Sequence, residues 1–473
     1  MNHANTRATT LITRNLWVTV GLIVSLLLPA VKAQTRIPKF APTPPMGFNS
    51  FDSYRSYLSE DKAYALMDVM AEKYLPFGYE YFVMDAGWYD NVELYPGSRY
   101  PIRQVSLALD EFGLYEPSPM YFPNGIKVLT DYAHKKGLKF GVWIMRGIPR
   151  QAVEQNLLVR GTRYFARDIA DTHSVCVWNP ENYGIDMTKP GAQAYYNALV
   201  NKLAGWGVDF IKVDDMVPNP QEIVAVARAI EEGGHKMIYS LSPGDVHYPG
   251  HLAYYRRANM LRITRDIWDD ALSIEKGFLA WEQFRGTERP GFWPDLDMIP
   301  FGRLNVVATE DIPNVPSERR ARQSRFSQDQ MKTFITQRAM AASPLIIGGD
   351  LLTMDDCSYR LLTNREMLAC NQNGVMGVNV YRAGNIDVWL TPHKTDPRRG
   401  WIGIFNRSKS QREVTLAKQE LGLVAFEASY NLTPARPPFR LEDIWSGEIV
   451  TLEDKHRFSL PAEGVAFFKF QMQ

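Results

Sequence analysis

Three cysteines in 473 residues, Cys176, Cys357 and Cys370, are too few and too oddly spaced for a disulfide scaffold or a thiolate metal site. Stability must therefore come from core burial. Charge of one sign is also missing: 53 Lys and Arg balance 52 Asp and Glu. No whole-chain field favours nucleic acid or an anionic membrane. Past residue 33 no apolar run reaches the length of a bilayer span, and neither internal repeats nor low-complexity tracts occur. Histidine is scarce as well, with eight residues, none of them in the strand-like runs described below.

One early run stands apart. Arg7 and Arg14 precede the apolar stretch Leu16 to Leu28, and Val31-Lys32-Ala33 offers small residues at the −3 and −1 positions of a cleavage site. Residues 1–33 read as a signal peptide, so the mature chain is expected to be exported, to the periplasm or the outside of a bacterium. No membrane association is expected after cleavage. The alternative is an uncleaved anchor.

From about residue 44 to 373, short apolar runs alternate with amphipathic helical stretches, the pattern of repeated βα units. The strand-like runs are Met46–Phe51, Tyr81–Asp85, Lys139–Ile144, Phe210–Asp214, Met237–Leu241, Met260–Asp266, Asp297–Pro300 and Pro344–Gly348. Eight such units predict an α/β chain built as a (β/α)8 TIM barrel, with its chemistry at the carboxyl ends of the strands. Ser59 is placed to cap a helix whose Ala63, Leu66, Met67, Met70 and Tyr74 share one face. After about residue 375 short alternating strands separated by Gly, Pro and Asn predict a small C-terminal antiparallel β-sandwich. The expected division is 1–33 signal peptide, 34–374 barrel and 375–473 sandwich. The sandwich is either a sugar-binding module or a domain packed on the barrel.

The stretch Asp209-Phe210-Ile211-Lys212-Val213-Asp214-Asp215 is an apolar strand that ends in acid. Strand alternation puts Phe210, Lys212 and Asp214 on one face. In Leu261-Arg262-Ile263-Thr264-Arg265-Asp266 the same period aligns Arg262, Thr264 and Asp266. Two carboxylates from different strand ends, each near a cation, suit glycoside hydrolysis, in which one attacks ionised and the other donates a proton. Lys212 favours the charged form of Asp214, and Asp266, facing that charge in a partly dry pocket, is expected to keep its proton. Each aspartate also has a plainer reading as a helix cap or turn residue, Asp85 before Gly87 included, and Asp215 faces the other way.

Five segments occur in a characteristic order: Pro44-Pro45-Met46-Gly47-Phe48-Asn49-Ser50-Phe51, Trp206 to Asp214, Arg262 to Asp266, Phe292-Trp293-Pro294-Asp295-Leu296-Asp297-Met298, and Ala341 to Gly348. In these the chain resembles glycoside hydrolase family 27, the α-galactosidases and α-N-acetylgalactosaminidases. The resemblance implies a retaining enzyme acting on terminal α-D-galactosyl residues, with Asp214 as nucleophile and Asp266 as acid/base. It implies further that Lys212 and Arg262 contact sugar hydroxyls, that Asp85 binds hydroxyls at the far side of the ring, and that Phe51, Trp143, Asp297 and Met298 line the pocket. The partner is then a carbohydrate. No cofactor and no metal are implied, and the oligomeric state is left open.

The chain departs from the family pattern at four places. Asp85-Ala86 stands where paired acids are usual, Trp143 where Tyr is usual, Met216 where Cys is usual, and Leu241-Ser242-Pro243-Gly244 replaces a Glu- and Trp-containing loop, which makes Ser242 a candidate contact. These leave open a β-L-arabinopyranosidase or isomalto-dextranase reading. Two rivals come from other classes: a metallohydrolase using Asp85, Asp214, Asp215 and Asp297 as ligands, and a sugar-binding protein without turnover.

Overall fold

The computed structural model describes residues 40–94, 101–242, 249–306, 320–396, 398–424 and 438–473. The expected signal peptide, most of the loop after Leu241 and the stretch before Pro438 lie outside these residues.

Eight parallel strands form the central sheet: β1 (Met46–Asn49), β2 (Tyr81–Met84), β3 (Lys139–Met145), β4 (Phe210–Asp214), β5 (Ile238–Leu241), β6 (Met260–Arg262), β7 (Trp293–Asp295) and β8 (Leu345–Ile347). They neighbour one another in chain order, with β8 beside β1. The last seam, between β7 and β8, is made by one parallel bridge, Ile299 to Ile347. There the Ile299 amide donates to the Ile346 carbonyl at 2.8 Å and the Gly348 amide to the Ile299 carbonyl at 3.0 Å. The sheet thus closes into the expected barrel.

Two strand assignments need correction. The seventh strand is Trp293–Asp295 and not Asp297–Pro300, because Asp297 has φ +73° and breaks the extended path. Only Ile299 of the expected run bridges to a neighbour. The sixth strand stops at Arg262, so Asp266 sits on an irregular segment and strand alternation does not govern its direction. The Ser59 cap is also different. Ser59 precedes the helix Glu60–Val69, but its hydroxyl donates to Asp61 and accepts no backbone amide.

The interior of the barrel shows why the alternation in β4 matters. Phe210 and Lys212 point inward with Val83, Ser240, Met260, Arg262, Asp295 and Ile346, while Ile211 and Val213, on the opposite face of the strand, are fully buried. Two insertions rise above the carboxyl ends of the strands. One is a hairpin of Asp90–Leu94 and Pro101–Leu107; the other is a three-stranded sheet of Ile148–Pro149, Ala170–Val175 and Asn182–Ile185.

The C-terminal strands are β9 (Val378–Ala383), β10 (Ile386–Pro392), β11 (Arg399–Asn406), β12 (Arg412–Ala417), β13 (Phe439–Asp443), β14 (Ile449–Leu452), β15 (Lys455–Leu460) and β16 (Val465–Met472). A six-stranded antiparallel sheet faces the β12–β15 pair across a core of Ile386, Val388, Leu390, Ile402, Leu416, Phe458 and Phe470. The other face of the large sheet is covered by the barrel at its centre. Trp389 stacks on Trp281 of the helix Ala271–Phe284 with ring centroids 3.7 Å apart, Trp445 Nε1 donates to Thr336 Oγ1, and Phe405 and Phe467 belong to the barrel's apolar core. The packed-domain reading describes this face.

Candidate active site

Because all eight strands are parallel, their carboxyl ends meet on one face, and there they enclose a cleft of about 960 Å³. Phe51, Asp85, Ala86, Trp143, Lys212, Asp214, Arg262, Asp266, Asp297 and Met298 line it together. Ser242 lies below, in a narrow continuation into the barrel, with its hydroxyl buried and unpartnered.

Asp85, just past β2, is buried. Its Oδ2 accepts from Lys212 Nζ at 2.9 Å and from Asn49 Nδ2 at 2.6 Å, and its backbone amide donates to Ser50 Oγ. The chain can leave this strand end only by a tight path. Gly87 has φ +96°, and a Cβ there would lie 2.2 Å from the Ser56 carbonyl oxygen. Burial works to lower the pKa of the Lys212 ammonium, but the Asp85 and Asp214 carboxylates outweigh it and hold the group above its ordinary value.

Asp214 ends β4 with its carboxyl split between two roles. Oδ2 accepts from Trp143 Nε1 at 2.7 Å, whereas Oδ1 is buried without a hydrogen-bond partner. Trp143 is itself fixed. Its ring stacks on Tyr89, Tyr89 stacks on Tyr115, and its carbonyl accepts from Trp88 Nε1 at 2.7 Å. Asp215, with φ +58°, turns away and takes two bonds from Arg146, which also reaches Glu222 at 2.6 Å. It belongs to a structural network behind the site.

Asp266 holds Arg262 Nη1 at 2.9 Å, and Arg262 also approaches Asp297 at 3.4 Å. Asp297 Oδ2 accepts the Ile267 amide at 2.9 Å, which ties the Asp266 segment to the end of β7. The expected dry setting for Asp266 is absent, since its side chain is 68% exposed. Desolvation of that carboxyl has to come from whatever covers the cleft.

Acids outnumber cations on this floor, and two of the acids are pushed above the ordinary carboxylate range. Asp295 is pushed up to about 7 by burial and the neighbouring Asp297 carboxylate. Asp52, which follows Phe51 and was not singled out in the sequence, is pushed well above the usual carboxylate range. Burial is the main cause, followed by Asp297; Asp266 adds to it, while Arg55 and Lys212 oppose it. Neither Asp52 oxygen has a hydrogen-bond partner, and a Cβ on Gly348 would lie 2.1 Å from Oδ2, so only glycine leaves room for that carboxyl.

This has a measurable consequence. A carboxyl whose folded pKa exceeds its unfolded value near ~3.9 favours the fold at low pH and penalises it as pH rises towards the folded pKa. Asp52→Asn keeps the shape and cannot ionise. Its Tm relative to the parent is expected to rise as the pH increases above about 4, where the unfolded carboxyl begins to ionise and the buried one resists. Parallel Tm curves would mean that Asp52 is charged in the native protein.

Among the described residues no group of three or more His, Cys, Asp or Glu side chains is arranged to hold a metal, and Asp215 points away from the other three acids of the metallohydrolase rival. No helix among the described residues is long and apolar enough to cross a membrane.

Comparison with known proteins places this geometry. Residues 38–340 match the model of the glycosyl hydrolases family 31 TIM-barrel domain. A family 27 β-L-arabinopyranosidase from Geobacillus stearothermophilus superposes with TM-score 0.82 at 35% identity, covering 93% of this chain and 98% of that one. A second structure of that enzyme, an altered form in complex with arabinose, gives TM-score 0.83 at 35% identity over 93% and 100% of the two chains. An α-galactosidase from Coffea arabica is 27% identical over 88% of this chain and 92% of its own length.

Proposed function

This chain belongs to glycoside hydrolase family 27, with a barrel that also fits the family 31 TIM-barrel model, and from that premise we propose that it is a retaining exo-glycosidase of galacto-configured pyranosides. Asp214 attacks the anomeric carbon while Asp266 protonates the departing oxygen; water then enters, gives its proton to Asp266 and releases Asp214. The observation that carries this reading is the Asp214 carboxyl, one oxygen held by Trp143 and the other buried and uncommitted at the floor of the cleft. Asp85, Lys212 and Arg262 are polar groups fixed in advance beside it, as tight recognition of hydroxyls requires. A sugar seated over Asp266 would exclude the water that reaches it in the free enzyme.

Terminal α-D-galactosyl residues are the first substrate reading, supported by the α-galactosidases among the relatives. Ala86 supports a second. β-L-Arabinopyranosides match α-D-galactosides at ring carbons 2, 3 and 4 but lack the hydroxymethyl group. Ala86 lines the cleft where the family commonly has a second acid, and a charge-assisted hydrogen bond contributes about 1.5–3 kcal/mol. A substrate without that hydroxyl forgoes nothing here. Ala86→Asp is expected to raise kcat/KM on α-galactosides about tenfold relative to β-L-arabinopyranosides. Repulsion with Asp85 opposes the gain. Paired nitrophenyl glycosides measured on both proteins decide it, and an unchanged ratio would move specificity to the Ser242 segment. Export rests on the 1–33 segment, and secretion of a tagged full-length chain with cleavage after Ala33 tests it.

A further inference from the structure

Between the insertion strands Ala170–Val175 and Asn182–Ile185 the chain runs Cys176-Val177-Trp178-Asn179-Pro180-Glu181. Cys176 is buried, yet Val177 is 97% and Trp178 57% exposed. Among the described residues Trp178 is the one tryptophan in the exposed class, and its ring makes no stacking, cation–π or hydrogen-bond contact with them. An indole left in water forgoes burial energy at about 25 cal/mol per Å². It lines the same cleft as Asp214 and Asp266, together with Asn179, Pro180, Glu181 and Gln104 of the neighbouring hairpin.

The segment that carries it is braced at several points. The Glu181 amide donates to Asn179 Oδ1 at 3.1 Å, and Asn179 Nδ2 returns a bond to the Glu181 carboxylate at 3.3 Å. Pro180 sets the intervening φ. The Arg150 amide donates to the Glu181 carbonyl at 2.8 Å, and Asn182 Nδ2 reaches both the Tyr115 hydroxyl and the Arg146 carbonyl. A braced backbone beside the indole has already met part of the ordering cost of binding.

We propose that Trp178 is the stacking platform of a leaving-group subsite that takes the pyranose ring next to the terminal sugar. The apolar face of that ring would lie on the indole, and the amides of Gln104 and Asn179 offer hydroxyl partners at the same rim. The substrate is then an oligosaccharide or glycan terminus and not a small alkyl glycoside. This rests on the assignment of Asp214 and Asp266 as the reacting pair.

The test compares a disaccharide with the glycosyl fluoride of the same terminal sugar, whose leaving group cannot stack. Trp178→Ala is expected to lower kcat/KM for the disaccharide about tenfold and to leave the fluoride within about twofold, with Trp178→Phe recovering most of the loss. An unchanged disaccharide rate, or equal losses on both substrates, overturns the subsite while the catalytic reading stands. A parent enzyme that cleaves neither substrate overturns both.

Discussion

Asp214→Ala is expected to lower turnover by several orders of magnitude while the protein stays folded. Loss of the nucleophile leaves no group to form the covalent intermediate on which retention depends. The structural cost is limited: Trp143 Nε1 loses one charged acceptor, worth about 1.5–3 kcal/mol, and Lys212 keeps its 2.9 Å pair with Asp85. Azide or formate should enter the vacated space and partly restore turnover, forming a product of inverted anomeric configuration in a single displacement. Near-normal turnover without added anion would reject the assignment.

Asp266→Ala should behave differently, and the difference identifies its role. Its loss is expected to lower kcat/KM by roughly 10²–10⁴ for alcohol leaving groups, which need a proton as the bond breaks. A glycosyl fluoride should lose far less in the first step. Added azide should now give a glycosyl azide of retained configuration, because Asp214 still forms the intermediate. Folding is expected to be unaffected, since the carboxyl is 68% exposed and Arg262 retains Asp297. Equal losses for fluoride and alcohol leaving groups would mean that Asp266 only positions Arg262.

Alternation is a local property, and where the chain stays extended it was enough to find the site. Lys212 and Asp214 were placed inward by counting along one strand. Counting does not hold at Asp266, because the strand ends at Arg262, and the expected strand Asp297–Pro300 fails because Asp297 is itself left-handed. Both acids still reach the cleft, because the segments that carry them follow strand ends on the barrel's carboxyl face. Asp52 went unnoticed because an acid beside Phe51 in a short helix carries no pattern; only its unpartnered burial marks it. Trp178 lies in an irregular insertion where neither period applies. The barrel's order was legible because eight apolar runs recur between helices.

The centre of the six-stranded C-terminal sheet is buried on both faces. Ile386, Val388 and Leu390 enter the sandwich core, and the intervening Trp389 enters the barrel's. A strand that divides its side chains between two cores makes each core the scaffold of the other. Cutting the chain near residue 375 would free no independent catalytic module; it would strip the cover from Trp281 and Phe278 and leave an adhesive apolar stripe on the barrel wall. Heat should therefore find one cooperative transition in this protein, and the cleft, though lined wholly by residues that precede the sandwich, should be lost in the same event that melts the sandwich.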